Sequence, residues 1–586
     1  MPCNTHATAH NERVASNSTT TSEVRADVRR RMPRKSPSAG GEGLAGPVAT
    51  IGLALLVLLA RLVSHSRAGG LAADGGVTVA KSASLSSVQI AELALGTLTA
   101  LALGAWVLTR RGRLLRPGPL GGARPARRGD LKDFRRHRGQ GTRVTLGTHL
   151  WGSVNLPAED HLMVLGPTGS GKSSGLAIPA ILEWPGAVVV TDPKGELIET
   201  TMAARRRVGQ VAVFAPLMRP SDPWNPLSAV HSSEDALRTA GFLMGRAPER
   251  EPFWHDLAHQ LLQGLLVEAA MTGMTLGDLV AMLQSVPAEE LASEMGHPVA
   301  RRLVQGATCG GDRTAMSVVA TLISKLAPYA TDKVAEATAQ SSFDPADLGR
   351  QRLQTIYCLV TPHDAPLLRG VVSALLASCW RAIYQSPPLT PVLFVLDEFA
   401  QLTLLPELPA LVQLGRSQGV RMMLMAQDLS SITATYGQET STALWANCRC
   451  KLLLSGISEI DLLERVSRLV GSATVHRQQP DGPDEPISSH PLITPDEVRR
   501  LRDDRALLLR GSGHPAVIRQ RRWYRDRRLR ALGQLPLDPG AVPRPVAGRP
   551  LSEWRALPAT QVSYPTALPW SSDFNPLEER PLETSA

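Results

Sequence analysis

Apolar residues follow three rhythms along this chain. Two long runs come first. "LAGPVATIGLALLVLLARLV" (Leu44–Val63) is broken only by Arg61, and "VQIAELALGTLTALALGAWVL" (Val88–Leu108) carries Glu92 near one end. Each has about the ~20 residues a helix needs to cross a bilayer, and Arg61 sits where it can snorkel to the interface. Short unbroken runs follow, of the kind made by parallel strands buried on both faces. They are "HLMVL" (His161–Leu165), the valine run entering Asp192, "PVLFVLDEFAQL" (Pro391–Leu402) and "VRMMLMAQ" (Val420–Gln427). Helical spacing is the third rhythm. It marks "SSGLAIPAIL" (Ser173–Leu182), "AHQLLQGLLVEAAM" (Ala258–Met271), "DRTAMSVVATLISKLA" (Asp312–Ala327) and Glu407–Ser417, the last stopped by Gly419. Strands alternating with helices predict an α/β fold.

The loop after the first short strand is chemically specific. Gly166-Pro167-Thr168-Gly169-Ser170-Gly171-Lys172-Ser173 matches G-x-x-x-x-G-K-[ST], and Ser174 follows. Its glycines let successive backbone N–H groups turn toward phosphates, where a side chain would clash. Lys172 is expected to reach the β- and γ-phosphates of ATP, and Ser173 to ligate Mg2+. A strand before the loop and a helix after it complete the phosphate-binding context, because the helix N-terminus adds positive dipole. Asp397-Glu398 closes a later strand. Beside a phosphate loop, the aspartate holds Mg2+ through water and the glutamate polarises the attacking water. That pair suits ATP-hydrolysing motors of RecA type better than small-molecule kinases. Gln427 ends the neighbouring strand, within reach of a γ-phosphate, and Arg416 stands just before that strand on a prospective subunit edge. The block Asp192-Pro193-Lys194-Gly195-Glu196, one strand after the loop, is not needed for gripping phosphate.

Charge changes the picture of the chain's ends. The formal net charge is +10 over 586 residues. Of the Lys and Arg residues 21 fall before Gly139, against 8 of the Asp and Glu, so that stretch carries about +13 and the rest about −3. Any nucleic-acid contact by the nucleotide-binding body must therefore come from a local patch. Arg29, Arg30, Arg31, Arg34 and Lys35 precede the first apolar run, and Arg110, Arg111, Arg113 and Arg116 follow the second. Positive-inside bias places both ends of this hairpin in the cytoplasm and the sparsely charged loop outside, in a multi-pass cell-membrane protein. The basic flanks suit anionic lipid first and DNA second. The six cysteines, Cys3, Cys309, Cys358, Cys379, Cys448 and Cys450, lack metal-ligand or redox spacing and read as buried free thiols. No metal beyond Mg2+ is expected.

These residues resemble one known family, the coupling proteins of type IV secretion and bacterial conjugation. The likeness runs from about Val144 to Asp526. Its marks are the stretch from Gly166 to Leu197 that includes "DPKGEL", then "WNPL" (Trp224–Leu227), "EPFWHDLAHQLLQGLLVEA" (Glu251–Ala269), "VLDEFAQL", "GRSQGVRMMLMAQDLSSI" and "RALLLRGSGHPAVIRQRRWYRD" (Arg505–Asp526). The resemblance implies a RecA-like nucleotide-binding domain (144–227 and 340–530) interrupted by an all-helical insert (228–339). A basic tail (1–43), a two-span transmembrane anchor (44–108) and a basic linker (109–143) would precede it, with a Pro-rich disordered tail (531–586) behind. It further implies a homo-hexameric ATPase bringing DNA, as a relaxase-bound single strand, or protein effectors to a secretion channel. Arg416 would then act on a neighbouring subunit's nucleotide. The alternatives are a double-stranded DNA translocase of the cell-division type and a nucleotide-gated receptor with little hydrolysis. The family's usual Thr after the Mg2+-binding serine is Ser174 here.

Overall fold

A computed structural model describes residues 121–545, apart from 136–143, 158, 248–251, 349–352, 416 and 476–487. The two apolar runs of the expected anchor, Arg416 and the chain after 545 lie outside the described residues.

Fifteen strands are described. Before the helical segment come β1 (Thr145–His149), β2 (Gly152–Asn155), β3 (Leu162–Leu165), β4 (Val188–Asp192), β5 (Gln210–Phe214) and the two-residue β6 (Met218–Arg219). After it come β7 (Gln354–Leu359), β8 (Val392–Leu396), β9 (Val420–Ala426), β10 (Cys450–Leu454), β11 (Ser472–Val475) and β12 (Ser488–Pro491). The last three are β13 (Arg505–Arg510), β14 (Ala516–Arg519) and β15 (Arg544–Pro545). Eleven of them form one sheet in the order β2-β1-β14-β13-β10-β3-β9-β8-β4-β7-β5. From β10 to β5 all neighbours are parallel. From β10 to β2 they are antiparallel, so the sheet is mixed.

The apolar runs explain the parallel half. Successive side chains of a strand point to opposite faces, and β3 sends Leu162 and Val164 to one core and Met163 and Leu165 to the other. β8 does the same with Leu393 and Val395 against Val392, Phe394 and Leu396. One face is covered by helices Ile178–Glu183 and Glu196–Arg206, the other by helix Ala365–Gln385 and the helical segment. Among the described residues Ala365–Gln385 is the single helix long and apolar enough to cross a membrane, and most of it is buried inside the protein.

Helices from Ser233–Met244 to Asp332–Ala339 fill the interval between β6 and β7. In Pro252–Thr272 the buried Ala258, Leu261, Leu262, Leu265, Leu266 and Ala269 follow helical spacing, which is why that run is not a strand. The Trp224–Leu227 motif fastens this segment at both ends. The Trp224 N–H donates to the carbonyl of Ala337 (2.9 Å), the Asn225 N–H to the hydroxyl of Ser341 (3.0 Å), and the Asn225 side chain to the carbonyl of Ala339 (3.2 Å). The Trp224 ring itself is wholly buried.

Two expected boundaries need correction. Residues 121–135 of the basic linker are folded: Gly122 bridges to Ala473, and Ala126, Leu131 and Phe134 are buried. Residues 531–545 of the expected Pro-rich disordered tail are folded too: helix Arg527–Gly533 buries Leu529, Val542 is buried, and β15 pairs with β6. In both places Arg, Pro and Gly dominate composition, while a few apolar side chains decide the outcome. Burying one Leu or Phe stabilises by about 1.5–3 kcal/mol, enough to offset the ordering of one or two residues. The five described cysteines are free thiols, four of them buried as expected and Cys309 exposed.

Candidate functional site

The site forms at the carboxyl ends of the parallel strands, where α/β sheets present their loops. β3 runs into the phosphate loop, and the loop delivers the chain into a π-helical turn (Ser173–Ala177) that continues as helix Ile178–Glu183. Gly171 adopts φ +97°, and a Cβ there would collide with the guanidinium of Arg522, so only glycine fits. Lys172 is folded back into the loop. Its Nζ donates to the carbonyl of Gly166 (2.6 Å) and pairs with Glu398 Oε1 (3.0 Å).

The acid pair arrives two strands away. β9 lies between β3 and β8, so Asp397 and Glu398 at the end of β8 face the loop across one strand. The Ser173 hydroxyl is 3.5 Å from Asp397 Oδ2. Asp397 Oδ1 is buried and has no hydrogen-bond partner among the described residues. Burial, reinforced by the neighbouring Glu398 carboxylate, pushes the Asp397 carboxyl up to about 7, against the opposing pull of Lys172 and Lys194. Such an orphaned oxygen beside a serine hydroxyl is a hard-oxygen donor set of the kind Mg2+ takes. Glu398 has φ +48°, the one non-glycine residue with left-handed backbone among the described residues. That conformation costs of order 1–3 kcal/mol and concentrates at functional sites.

The Asp192–Glu196 block ends in this pocket as well. Pro167, Thr168, Gly169, Gly171, Lys172, Ser173 and Ser174 line it together with Lys194, Glu196, Asp397 and Glu398 around a cavity of about 150 Å³. Gly166 and Ser170 complete the loop behind it, Gly166 through its carbonyl and Ser170 through a hydroxyl donated to the carbonyl of Pro167 (2.7 Å). Gln427 is half-buried directly after β9, between the loop strand and the acidic strand, yet it is not among the lining residues.

Arg522 was not anticipated. Its guanidinium donates to the Ser174 hydroxyl (2.9 Å), the Ser170 carbonyl (3.1 Å) and the Asp503 carbonyl (2.9 Å), so the segment after β14 clasps the phosphate loop from behind. Next to it Arg521 holds Glu183 with two bonds of 2.9 Å and also pairs with Asp526. The basic run "RQRRWYRD" was the visible signal; its target, more than 300 residues earlier, was not.

Comparison with known proteins places the chain in a family and matches its fold. The family profile described as Type IV secretory system Conjugative DNA transfer matches residues 132–540. Protein VirD4 of Agrobacterium fabrum is 26% identical over 451 residues, covering 72% of this chain and 67% of the relative. Conjugal transfer protein TraG of Rhizobium radiobacter is 23% identical over 406 residues, 62% of each chain. The matched part thus spans about two thirds of these relatives' length or slightly less. Among solved structures, the bacterial conjugative coupling protein TrwBdeltaN70 with sulphate superposes with a TM-score of 0.57 at 21% identity, covering 70% of this chain and 96% of that one. The plasmid coupling protein TrwB in complex with ADP and Mg2+ gives 0.56 at 20% identity, over 68% and 94%. With the profile covering well over half of its residues, this chain belongs to the type IV secretory system conjugative DNA transfer family.

Proposed function

We propose that this protein is a membrane-anchored, ATP-hydrolysing coupling protein that recruits DNA, carried as a relaxase-bound single strand, or protein effectors, and drives them toward a type IV secretion channel. The observation that carries this reading is the convergence of Lys172, Ser173, Asp397 and Glu398 on one pocket from two strands separated by β9. A kinase has no use for a water-polarising glutamate at that point; a motor has. The interposed strand β9 supports a RecA-like core made of 144–227 and 340–530, with 228–339 as its helical insert.

ATP would lie with its phosphates along Gly166–Ser174, and Mg2+ would be held by Ser173 and Asp397. When bound, the metal neutralises charge on the phosphate oxygens. Lys172 binds and orients the β- and γ-phosphates, which requires it to exchange Glu398 for a phosphate oxygen. Glu398, released from that pair, holds and polarises the attacking water. Arg416 and Gln427 are assigned to the γ-phosphate, Arg416 from an adjacent subunit of a homo-hexamer. The two apolar runs at 44–63 and 88–108 anchor the assembly in the cell membrane, with the bulk of the chain cytoplasmic.

The relatives' names speak of conjugal transfer, and TrwB has been seen with ADP and Mg2+; both support this reading. The full-length chain, assayed for Mg2+-dependent ATP hydrolysis with and without single-stranded DNA, tests it. Turnover stimulated by single-stranded DNA is the expected result. No turnover under either condition would leave a nucleotide-gated receptor, and stimulation by double-stranded DNA alone would favour a duplex translocase.

A further inference from the structure

Phosphate gripping does not require the Asp192–Glu196 block, yet the fold spends a buried carboxylate on shaping it. Asp192 ends β4 and is 1% exposed. Its Oδ1 accepts from the backbone N–H of Lys194 (3.1 Å) and of Gly195 (2.8 Å), and its Oδ2 from that of Ile198 (2.9 Å). Gly195, at φ +80°, makes the left-handed turn that starts helix Glu196–Arg206. The main chain at Lys194 is therefore pinned to the sheet, while its side chain is exposed and lines the phosphate pocket.

Strand order tells from which direction it enters. The sequence across this part of the sheet is β3-β9-β8-β4, so the acid pair lies between Lys172 and Lys194. Three strand spacings separate the two lysine-bearing strands, roughly 14 Å. That leaves room for a phosphate tail between the two ammonium groups, above Asp397 and Glu398.

Charge favours a second cation. Glu196, Asp397 and Glu398 line the pocket against only Lys172 and Lys194, and Lys172 is already paired with Glu398 at 3.0 Å. Lys194 makes no ion pair among the described residues. With Mg2+ at Asp397, as the ATP reading has it, a polyphosphate entering without Lys194 would still meet Glu196 with no protein cation on that side of the acid pair.

We propose that Lys194 is a second phosphate-binding cation, contacting the terminal phosphate of a bound nucleoside triphosphate from the side of the acid pair away from Lys172. This rests on the ATP reading above. In that role Lys194 senses the presence of the third phosphate, and the Asp192-pinned turn carries the contact into helix Glu196–Arg206.

The test compares ATP and ADP affinity, each with Mg2+, for the full-length parent chain, Lys194→Ala and Lys194→Arg. Lys194→Ala should weaken ATP about tenfold and ADP no more than about threefold, the effect of one charge-assisted hydrogen bond lost from the terminal phosphate only. Lys194→Arg should restore ATP affinity. Melting of the nucleotide-free chain should not move, because Asp192 holds the backbone N–H of residue 194 rather than its side chain. Unchanged ATP affinity in Lys194→Ala, or an equal loss for ATP and ADP, overturns the proposal while leaving the ATP reading intact. A parent chain that binds neither nucleotide overturns both.

Discussion

Lys172 and Glu398 are ion-paired at 3.0 Å in a pocket where each side chain is only 7% exposed. The residue assigned to phosphate and the residue assigned to water thus neutralise each other, and a phosphate taken by Lys172 must separate them. Truncating one partner of a buried pair leaves the other uncompensated, which costs more than the pair is worth. The two truncations are not equivalent, because a phosphate can take the place of Glu398 beside Lys172, whereas removing Lys172 takes from the loop the ammonium that donates to Gly166. Lys172→Ala should abolish nucleotide binding. Glu398→Gln should keep or tighten ATP binding and lower turnover by about 10²–10⁴, the usual worth of a general base. Equilibrium binding and single-turnover hydrolysis, measured on the same preparations, separate the two effects. Parental hydrolysis in Glu398→Gln would assign water activation elsewhere.

The clasp by Arg522 should matter for affinity. Arg522→Ala removes the donors to the Ser170 carbonyl and Ser174 hydroxyl, leaving the loop less pre-organised. We expect KM for ATP to rise about tenfold with kcat changed less than about threefold, as for lost uniform binding. Lys should not rescue, since a point charge cannot reach three acceptors on separate segments. Gly171→Ala, which combines a clash with Arg522 and a left-handed backbone, should lose binding altogether.

Arg205 offers a test of stability rather than activity. It is 1% exposed, and its guanidinium donates to the Thr355 hydroxyl (2.9 Å) and the carbonyls of Trp184 (2.5 Å) and Gly186 (2.6 Å). It ties helix Glu196–Arg206 to the end of the sheet opposite the pocket. Arg205→Ala leaves three acceptors unmatched and should cost about 3 kcal/mol or more. Denaturant melts should show the loss, with ATP affinity of the remaining folded protein unchanged.

The hairpin topology is testable in cells. In the proposed topology, basic residues on both outer flanks of the two apolar runs would keep those flanks inside. Cysteines introduced between Gly70 and Ser84 should be labelled from outside, and one at Arg116 should be protected. Labelling at Arg116 in intact cells would invert the topology.

The parallel half of the sheet was legible because strands buried on both faces are dominated by apolar residues: β3 and β8 are apolar throughout, β4 opens on three valines before Thr191 and Asp192, and β9 is interrupted only by Arg421. Asp397 and Glu398 could be found for the same reason: two carboxylates after five apolar residues stand out. The antiparallel extension formed by β13, β14, β1 and β2 left a weaker trace, since β14 alternates Ala516 and Ile518 inward with half-exposed Val517 and Arg519. Composition misled at 121–135 and 531–545, where Arg, Gly and Pro conceal Phe134 and Val542. Arg522 was illegible for a different reason. A cation's partner is set by the fold, and nothing local distinguishes it from Arg521 or Arg525. Lys194 lies between these cases: its block stood out in the sequence, but only the strand order brings it to the phosphate pocket.

The distance along the chain between the loop and its completing residues sets a schedule for synthesis. Asp397 follows Ser173 by 224 residues, and Arg522 follows Ser174 by 348. A ribosome adding ~5–20 residues per second delivers Arg522 about 17–70 s after the phosphate loop has left the peptidyl-transferase centre. Throughout the first part of that interval the nascent chain has a loop without its acid pair, and throughout all of it a loop without its clasp. A product cut short before β8 keeps the most recognisable motif in the sequence but lacks Asp397 and Glu398, the carboxylates to which the proposed function assigns metal and water.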